Sequence, residues 1–201
     1  MDTRYITSAA KAEQLPRYEA AEIGFIGRSN TGKSTLLNAL MGRRSLARTG
    51  RTPGQTKMIN FFGYGKDHIF ADLPGYGYHE ASYHQITKHW DSLVKTYLQR
   101  QNISRIAFLL DIRRNLQPDD IGLLDQLSRN HNVVIVLTKS DKVNRSAVQK
   151  AKNNLNKVLE DYRIQGTQTV VTSSLKKAGI EDLRRILIPD ESPPATPGQL
   201  H

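Results

Sequence analysis

"GFIGRSNTGKSTLLNAL", residues 24–40, places an apolar run, a glycine-punctuated loop and a helical pattern end to end. Gly27, Gly32, Lys33 and Ser34 fit the spacing G-x-x-x-x-G-K-[ST], with a strand expected before it and a helix from about Lys33 to Met41 after it. Each residue type has a reason to be there. Glycines let backbone N–H groups curl around phosphate oxygens, a nest that side chains would obstruct. The helix N-terminus adds its partial positive charge. Lys33 is placed to reach β- and γ-phosphates, and Ser34 to offer its hydroxyl to Mg²⁺. The loop reads as a nucleoside triphosphate site.

Outward from this loop, strand-like runs alternate with helical patterns. "EIGFIG" (22–27) is the strand that feeds the loop. "MINFFGYGKDHIFADL" (58–73) reads as two strands joined by a Gly-rich hairpin. Residues 82–100 show helical spacing of Ile86, Trp90, Leu93 and Tyr97, which makes Trp90 a core residue. Three more strands follow, in "RIAFLLDI", "NVVIVLTKSD" and "TQTVVTSS", with helices in "DDIGLLDQLSR", "RSAVQKAKNNLNKVLEDYR" and "GIEDLRRILI". Continuous apolar strands separated by helices predict a mostly parallel sheet covered on both faces, a three-layer α/β fold with the hairpin supplying the one antiparallel strand. Residues 1–20 read as an N-terminal extension, 21–188 as one domain, and 189–201, with four prolines and no periodicity, as a disordered tail.

Three further motifs fall where strands end. "TKSD", Thr138 to Asp141, closes the strand "NVVIVLTKSD". A carboxylate there accepts from guanine N1–H and the 2-amino group together, whereas adenine would leave it unpaired, the strong form of discrimination. Lys139 can lay its stem along the base. "DLPG", Asp72 to Gly75, ends the second strand of the hairpin; Asp72 would orient Mg²⁺ through a water and the Gly75 N–H would sense the γ-phosphate. "TSS", 172–174, can turn backbone N–H groups to the guanine carbonyl, or simply cap a helix. A second Mg²⁺ hydroxyl is expected from "RTGRTPGQTKM", where Thr49, Thr52 and Thr56 all qualify; Thr56, beside the strand and after the flexible "PG", is favoured.

Composition narrows the classes. With no cysteine, disulfides and thiolate metal sites are excluded. No 18-residue apolar run and no signal-like N-terminus are present, so a soluble cytoplasmic protein is expected. Twenty-nine basic against nineteen acidic residues leave a net charge of +10, which favours phosphate-rich partners. Residues 41–58 concentrate it, with Arg43, Arg44, Arg48, Arg51 and Lys57 and no acid. Arg113 and Arg114 can add to that patch or lie in a solvated loop. His79, His84 and His89 recur every five residues, which scatters them around a helix and argues against a metal site. Tyr76, Tyr78 and Tyr83 are better suited to packing a loop than to stacking on bases.

Taken together, "GRSNTGKSTLLNAL", "TPGQTKMINFF", "DLPGYGYH", "LLDIRRNLQPDD", "TKSDKV" and "SSLKKAGIEDL" resemble the EngB (YihA/YsxC) GTPases over roughly residues 5–188. The resemblance implies a Ras-like P-loop GTPase domain with a six-stranded sheet, and GTP hydrolysis with Mg²⁺. It also implies a part in assembling the large ribosomal subunit and a link to cell division and septation. It puts the phosphates on Gly27, Arg28, Ser29, Asn30, Thr31, Gly32, Lys33 and Ser34, and a switch contact on Gly54, Gln55, Thr56, Lys57 and Met58. It puts direct Mg²⁺ ligands on Ser34 and Thr56, which resolves the threonine choice, and the second sensor on Asp72, Leu73, Pro74 and Gly75. The base falls to Thr138, Lys139, Ser140 and Asp141 with Thr172, Ser173 and Ser174, and catalysis to Lys33, Thr56 and Gly75. Gln55 stands where the family usually has a basic residue, and Lys57 where it often has glutamine.

One position departs from Ras-like enzymes. Where they place a water-orienting glutamine after the D-x-x-G glycine, this chain has Tyr76, so slow intrinsic hydrolysis is expected. Backbone around Thr56 and a borrowed group would hold the water. Asn30 resembles the asparagine that binds K⁺ in related potassium-activated GTPases; alternatively it caps the loop through its own backbone. Turnover in KCl against NaCl separates the two. The partner, a precursor of the large ribosomal subunit, is the other source of activation, and a monomer suffices. Two other classes compete: a P-loop ATPase or small-molecule kinase, and a nucleic-acid-binding module that holds nucleotide structurally. "TKSD" argues against adenine, and no segment reads as a kinase lid.

Overall fold

The computed structural model describes residues 2–47, 58–77 and 92–189. Seven strands form one sheet: β1 (Thr3–Ala9), β2 (Ala21–Gly27), β3 (Ile59–Tyr64), β4 (His68–Asp72), β5 (Ile103–Asp111), β6 (Val133–Thr138) and β7 (Gln168–Val171). Their spatial order is β1-β3-β4-β2-β5-β6-β7. Only β3 runs against the others, pairing antiparallel with β1 on one side and β4 on the other. The remaining neighbours pair in parallel.

The expectation of one antiparallel strand in a mostly parallel sheet therefore holds, but the sheet has seven strands rather than six. The extra one is β1, inside the stretch read as an extension. "TRYITSA" is polar, pairs along one edge only, and slips register between Tyr5 and Thr7. It therefore lacks the apolar run by which the other strands announce themselves. Leu15, Tyr18 and Ala20, on the way to β2, pack against the core.

Among the described residues, five α-helices cover the sheet: α1 (Lys33–Leu40), α2 (Ser92–Leu98), α3 (Pro118–Asn130), α4 (Arg145–Asp161) and α5 (Ile180–Leu187). On one face, Leu36, Leu37 and Leu40 of α1 and Ile180, Leu183 and Leu187 of α5 meet Ile23, Phe25, Ala107, Leu109, Val134 and Val136. On the other, Tyr97 of α2, Leu123, Leu124 and Leu127 of α3 and Leu155 of α4 meet Ile26, Ile106, Phe108, Ile135 and Leu137. Alternate residues of β2, β5 and β6 thus enter opposite cores, which is why these strands are apolar throughout. Among the described residues no helix is long and apolar enough to cross a membrane.

Candidate functional site

The parallel pairing of β4, β2, β5 and β6 brings their carboxyl ends to one edge of the sheet. Loops at that edge are where open α/β sheets take their ligands.

The loop from Gly27 to Ser34 leaves β2 and turns into α1 through two left-handed residues, Asn30 (φ 66°) and Gly32 (φ 93°). Such a turn directs successive amides inward as a nest. Thr31 steadies it, its N–H and Oγ1 both donating to the Arg28 carbonyl at 3.2 and 2.8 Å. The exposed Asn30 side-chain amide has no hydrogen bond among the described residues. Lys33 opens α1, and its ammonium pairs with the carboxylate of Asp72, the last residue of β4. Ser34 lies in the same first turn.

Beyond Asp72 the chain stays against the loop. The Leu73 N–H donates to the Phe25 carbonyl at 3.0 Å. After Pro74, Gly75 approaches so closely that an added Cβ would lie 3.1 Å from Ser29 Oγ. Tyr76 completes the contact: Ser29 N–H donates to its carbonyl at 3.1 Å, and its own N–H donates to the Gly27 carbonyl at 3.3 Å. The Tyr76 ring lies by Phe108 and by the Arg28 guanidinium, 5.6 Å from its centroid. Its hydroxyl donates to Asp120 Oδ1 at 3.0 Å. That oxygen also accepts from Arg28 Nε at 2.6 Å, while Oδ2 accepts from the Gln117 N–H at the start of α3 at 2.8 Å. Burial, reinforced by the charge of Asp120, raises the Tyr76 hydroxyl well above its ordinary pKa, so it remains a donor.

The other end of the edge is built from β6 and β7. Thr138 Oγ1 donates to the Thr31 carbonyl at 2.7 Å, joining "TKSD" to the phosphate loop. Lys139, left-handed at φ 62°, donates through Nζ to the Asn30 carbonyl at 2.5 Å and pairs with Asp111 at 3.0 Å. Ser140 N–H donates to the Thr172 carbonyl at 3.1 Å, so the two loops move as one. Asp141 Oδ1 accepts from Ser173 Oγ at 2.6 Å, and Ser173 Oγ in turn accepts from the Lys176 N–H; Ser174 stands half-buried beside them. Ser173, foremost, holds the Asp141 carboxyl below its ordinary pKa against the upward push of burial. Gly179 closes the loop at φ 68°, where a Cβ would come within 2.1 Å of the Val171 carbonyl, so no other residue fits.

Asp111 and Asp120 are the residues that motif reading missed. Burial drives the Asp111 carboxyl up. Hydrogen bonds from the side chain and backbone of Arg113, and from Lys139, outweigh this and hold it well below the usual carboxylate range. The signal was present: an acid ending an apolar strand, as Asp72 does. Asp120 sits in "QPDD", which reads as a helix cap and carries no hint of its long-range partners Arg28 and Tyr76.

Of the switch residues, Gly54, Gln55, Thr56 and Lys57 lie outside the described residues, and Met58 is exposed just before β3. The segment with Tyr78, His79, Tyr83, His84, Ile86, His89 and Trp90 also lies outside them, as do Arg48 and Arg51. Arg43 is engaged within the fold, its Nε donating to Thr3 Oγ1 at 2.9 Å and its Nη2 to the Thr3 carbonyl at 3.3 Å. Arg113 is likewise held on Asp111, at 2.9 and 2.7 Å. A cavity of about 450 Å³ flanks the phosphate loop on the α3 side, lined by Arg28 to Thr31, Asp111, Arg114 and Asp120. It does not include Lys33, Asp72 or Asp141. No three His, Cys, Asp or Glu among the described residues form a metal cluster. Ser34 and Asp72 supply hard oxygen donors at the loop, the set that suits Mg²⁺ with its few protein ligands.

Known proteins agree with this geometry. Residues 22–139 match the family described as 50S ribosome-binding GTPase. The probable GTP-binding protein EngB of Coxiella burnetii is 37% identical over 188 residues, covering 92% of this chain and 91% of that protein. Its counterpart in Clostridium kluyveri is 40% identical over 186 residues, covering 91% and 92%. Among solved structures, a probable GTP-binding protein engB shares the fold at a TM-score of 0.63 and 24% identity, covering 85% of this chain and all of that one. The selenocysteine-specific elongation factor EF-Sec of bacteria shares it at 0.58 and 21%, covering 87% of this chain and 30% of that one. With its loop, its base-end carboxylate and these relatives in agreement, the chain belongs to the EngB family of GTP-binding proteins.

Proposed function

We propose that this chain is a slow GTPase that works as a nucleotide switch on the assembling large ribosomal subunit. The observation that carries the reading is the Lys33–Asp72 pair. A lysine placed for phosphate and a carboxylate placed for metal neutralise each other across the loop, and a nucleotide with Mg²⁺ gives each a better partner. Ser34 and Thr56 would hold Mg²⁺ directly and Asp72 through a water; the ion supplies neutralisation of the charge developing on the β- and γ-oxygens.

The chain's own residues do the rest. The amides of the Gly27–Ser34 nest and the Lys33 ammonium bind and orient the phosphates. Gly75, already against Ser29, offers its N–H to the terminal phosphate. Asp141, kept ionised by Ser173, accepts the two guanine N–H groups, while Lys139 fixes the base loop to the phosphate loop through Asn30. Tyr76 has no amide with which to aim a water, and its hydroxyl is committed to Asp120. The hydrolytic water therefore depends on backbone near Thr56 and on the partner, and turnover without it is slow.

The reading of the large particle as partner is supported by the family's description and by the net charge of +10. Co-sedimentation with purified large-subunit particles tests it. The chain is expected to pellet with them in a nonhydrolysable GTP analogue and to stay in the supernatant in GDP. Equal partition in both nucleotides would remove the switch.

A further inference from the structure

The charge of this chain is not spread evenly. Residues 142–177 hold eight cations against two acids, six of the ten net positive charges of the whole chain. Four of those cations, Arg145, Lys150, Lys152 and Lys157, lie on α4, and all four are exposed and form no ion pair among the described residues.

Helix stability does not account for them. A helix gains from acids in its first turn and cations in its last. In α4 the order is reversed, with Arg145 at the start and Glu160 and Asp161 at the end. Asn153, Asn154 and Asn156 occupy its middle, although asparagine is a poor helix former. Residues that cost the helix something are better explained by what they face.

Their arrangement is regular. Ala147, Val148, Ala151, Leu155, Val158 and Leu159 turn inward, with Leu155 fully buried. On the outer side, Arg145 and Lys152 form one row and Lys150 and Lys157 another, each pair seven residues apart, about 10.5 Å along the axis. Between the rows lie the amides of Gln149, Asn153 and Asn156, the first donating to the second at 2.9 Å. Two of the four large exposed apolar side chains among the described residues follow the helix in sequence: Tyr162 (58% exposed) comes directly after its last turn beside Arg163, and Leu175 (73%) lies beside Lys176 in the loop whose Ser173 holds Asp141.

We infer that the outer face of α4, between and including its two cation rows, is a docking surface for the phosphate backbone of RNA. The cation rows match two lines of phosphates, and amides between them suit sugar hydroxyls. A membrane is the wrong partner, because the apolar side of α4 is spent on the core and the row between the cations is polar. The inference rests on the ribosomal reading only for the source of the RNA.

The test uses the full GDP-bound chain and a fluorescent RNA duplex of about 20 base pairs and arbitrary sequence. Replacing Arg145, Lys150, Lys152 and Lys157 together by glutamine is expected to weaken binding at least tenfold. The slope of log K against log salt should become shallower by about 3.6, the share of four phosphate contacts on a duplex. GDP affinity should not change, which shows that the variant is folded. Exchanging arginine and lysine at the same four positions keeps the charge and should keep the binding. Equal affinity and slope in the glutamine variant overturn the inference, as does loss of polyglutamate binding with duplex binding intact, which would make the partner an acidic protein. If the native chain binds the duplex through this face yet never pellets with large particles, the ribosomal reading falls and the surface stands. If it pellets and the glutamine variant still binds the duplex fully, the surface falls and the ribosomal reading stands.

Discussion

The two ends of the nucleotide cleft are finished to different degrees. At the base end, Thr138, Lys139, Ser140 and Asp141 are held by Thr31, Asn30, Asp111, Thr172 and Ser173. The Asp141 carboxyl, proposed to read the base, is held below its ordinary pKa by Ser173. At the phosphate end the groups meant for nucleotide are occupied by each other: Lys33 by Asp72, and the Ser29 amide by the Tyr76 carbonyl. A ligand can therefore enter base-first onto a fixed template and must then exchange partners around its phosphates. Selectivity resides where nothing has to move, and state-dependence where something must. Preorganised polar groups discriminate best because they cannot relax toward the wrong ligand.

The strongest way to break this division is at Asp141. Changing Asp141→Asn removes the charge and turns one of the two acceptor oxygens into an NH2 donor facing the guanine 2-amino group, undoing two charge-assisted hydrogen bonds of about 1.5–3 kcal/mol each. GDP affinity should fall about 10³-fold, and xanthosine diphosphate, which presents an oxygen where guanine has its 2-amino group, should gain. Calorimetric titration of both nucleotides reads the exchange; a loss shared equally by the two would mean that Asp141 shapes the loop instead of reading the base. The native chain adds a pH test. Because Ser173 lowers the folded pKa of Asp141, the carboxylate stays charged above the ordinary aspartate value, about 3.9. The contribution is lost only as pH falls through the lowered value. GDP affinity should thus show no Asp141 titration between about pH 8 and 5, and a midpoint inside that range would contradict an ionised template.

At the phosphate end the expected effect is smaller and opposite in sign under one condition. Asp72→Ala frees Lys33 before nucleotide arrives. Without Mg²⁺, GDP should bind about tenfold tighter than to the native chain, since one charge-assisted pair no longer has to be given up. With Mg²⁺ the variant should gain little, because the carboxylate that orients the ion is gone. Titrations in EDTA and in Mg²⁺ decide it: weaker binding in EDTA would show that the pair does not compete with phosphate.

The same division governs what could be read from sequence. Elements whose side chains act where the chain places them were legible. The strand–loop–helix of 24–40 and the strands ending in Asp72 and Thr138 follow from apolar period and fixed spacing. β1 was not, because a polar edge strand draws its stability from pairing with β3 rather than from an apolar run. Glu22 was read as part of a strand, yet its side chain is fully buried, taking Arg100 at 2.5 Å and Asn102 at 3.1 Å. Partners about eighty residues away leave no local trace. Tyr76 was visible as a missing glutamine, but its grip on Asp120 depends on α3 lying beside β2, and nothing near either residue announces that. The five-cation stretch at 41–58 was read as one patch, and Arg43 proves to be tied to Thr3 of β1.

Tyr76→Phe gives the smallest and sharpest test of the comparison. The change removes one hydroxyl and no ring, so contacts with Phe108 and Arg28 persist. Asp120 keeps Arg28 on Oδ1 and Gln117 on Oδ2, so no carboxylate is left unpaired. The cost should accordingly stay near that of a single hydrogen bond, about 1 kcal/mol of unfolding free energy, rather than the several that an orphaned buried charge brings. What distinguishes the two ends is where the loosening appears. If the Tyr76 turn is a local latch on the phosphate loop, amide exchange should quicken at 72–77 and around Ser29, and remain unchanged at 138–141. The base template has its own bonds through Thr31 and Asn30, on the far side of the loop from Gly75, so it has no reason to follow. Equal loss of protection at both ends would mean that the cleft opens as one unit, and that fixing the base and switching the phosphates are not separable in this fold.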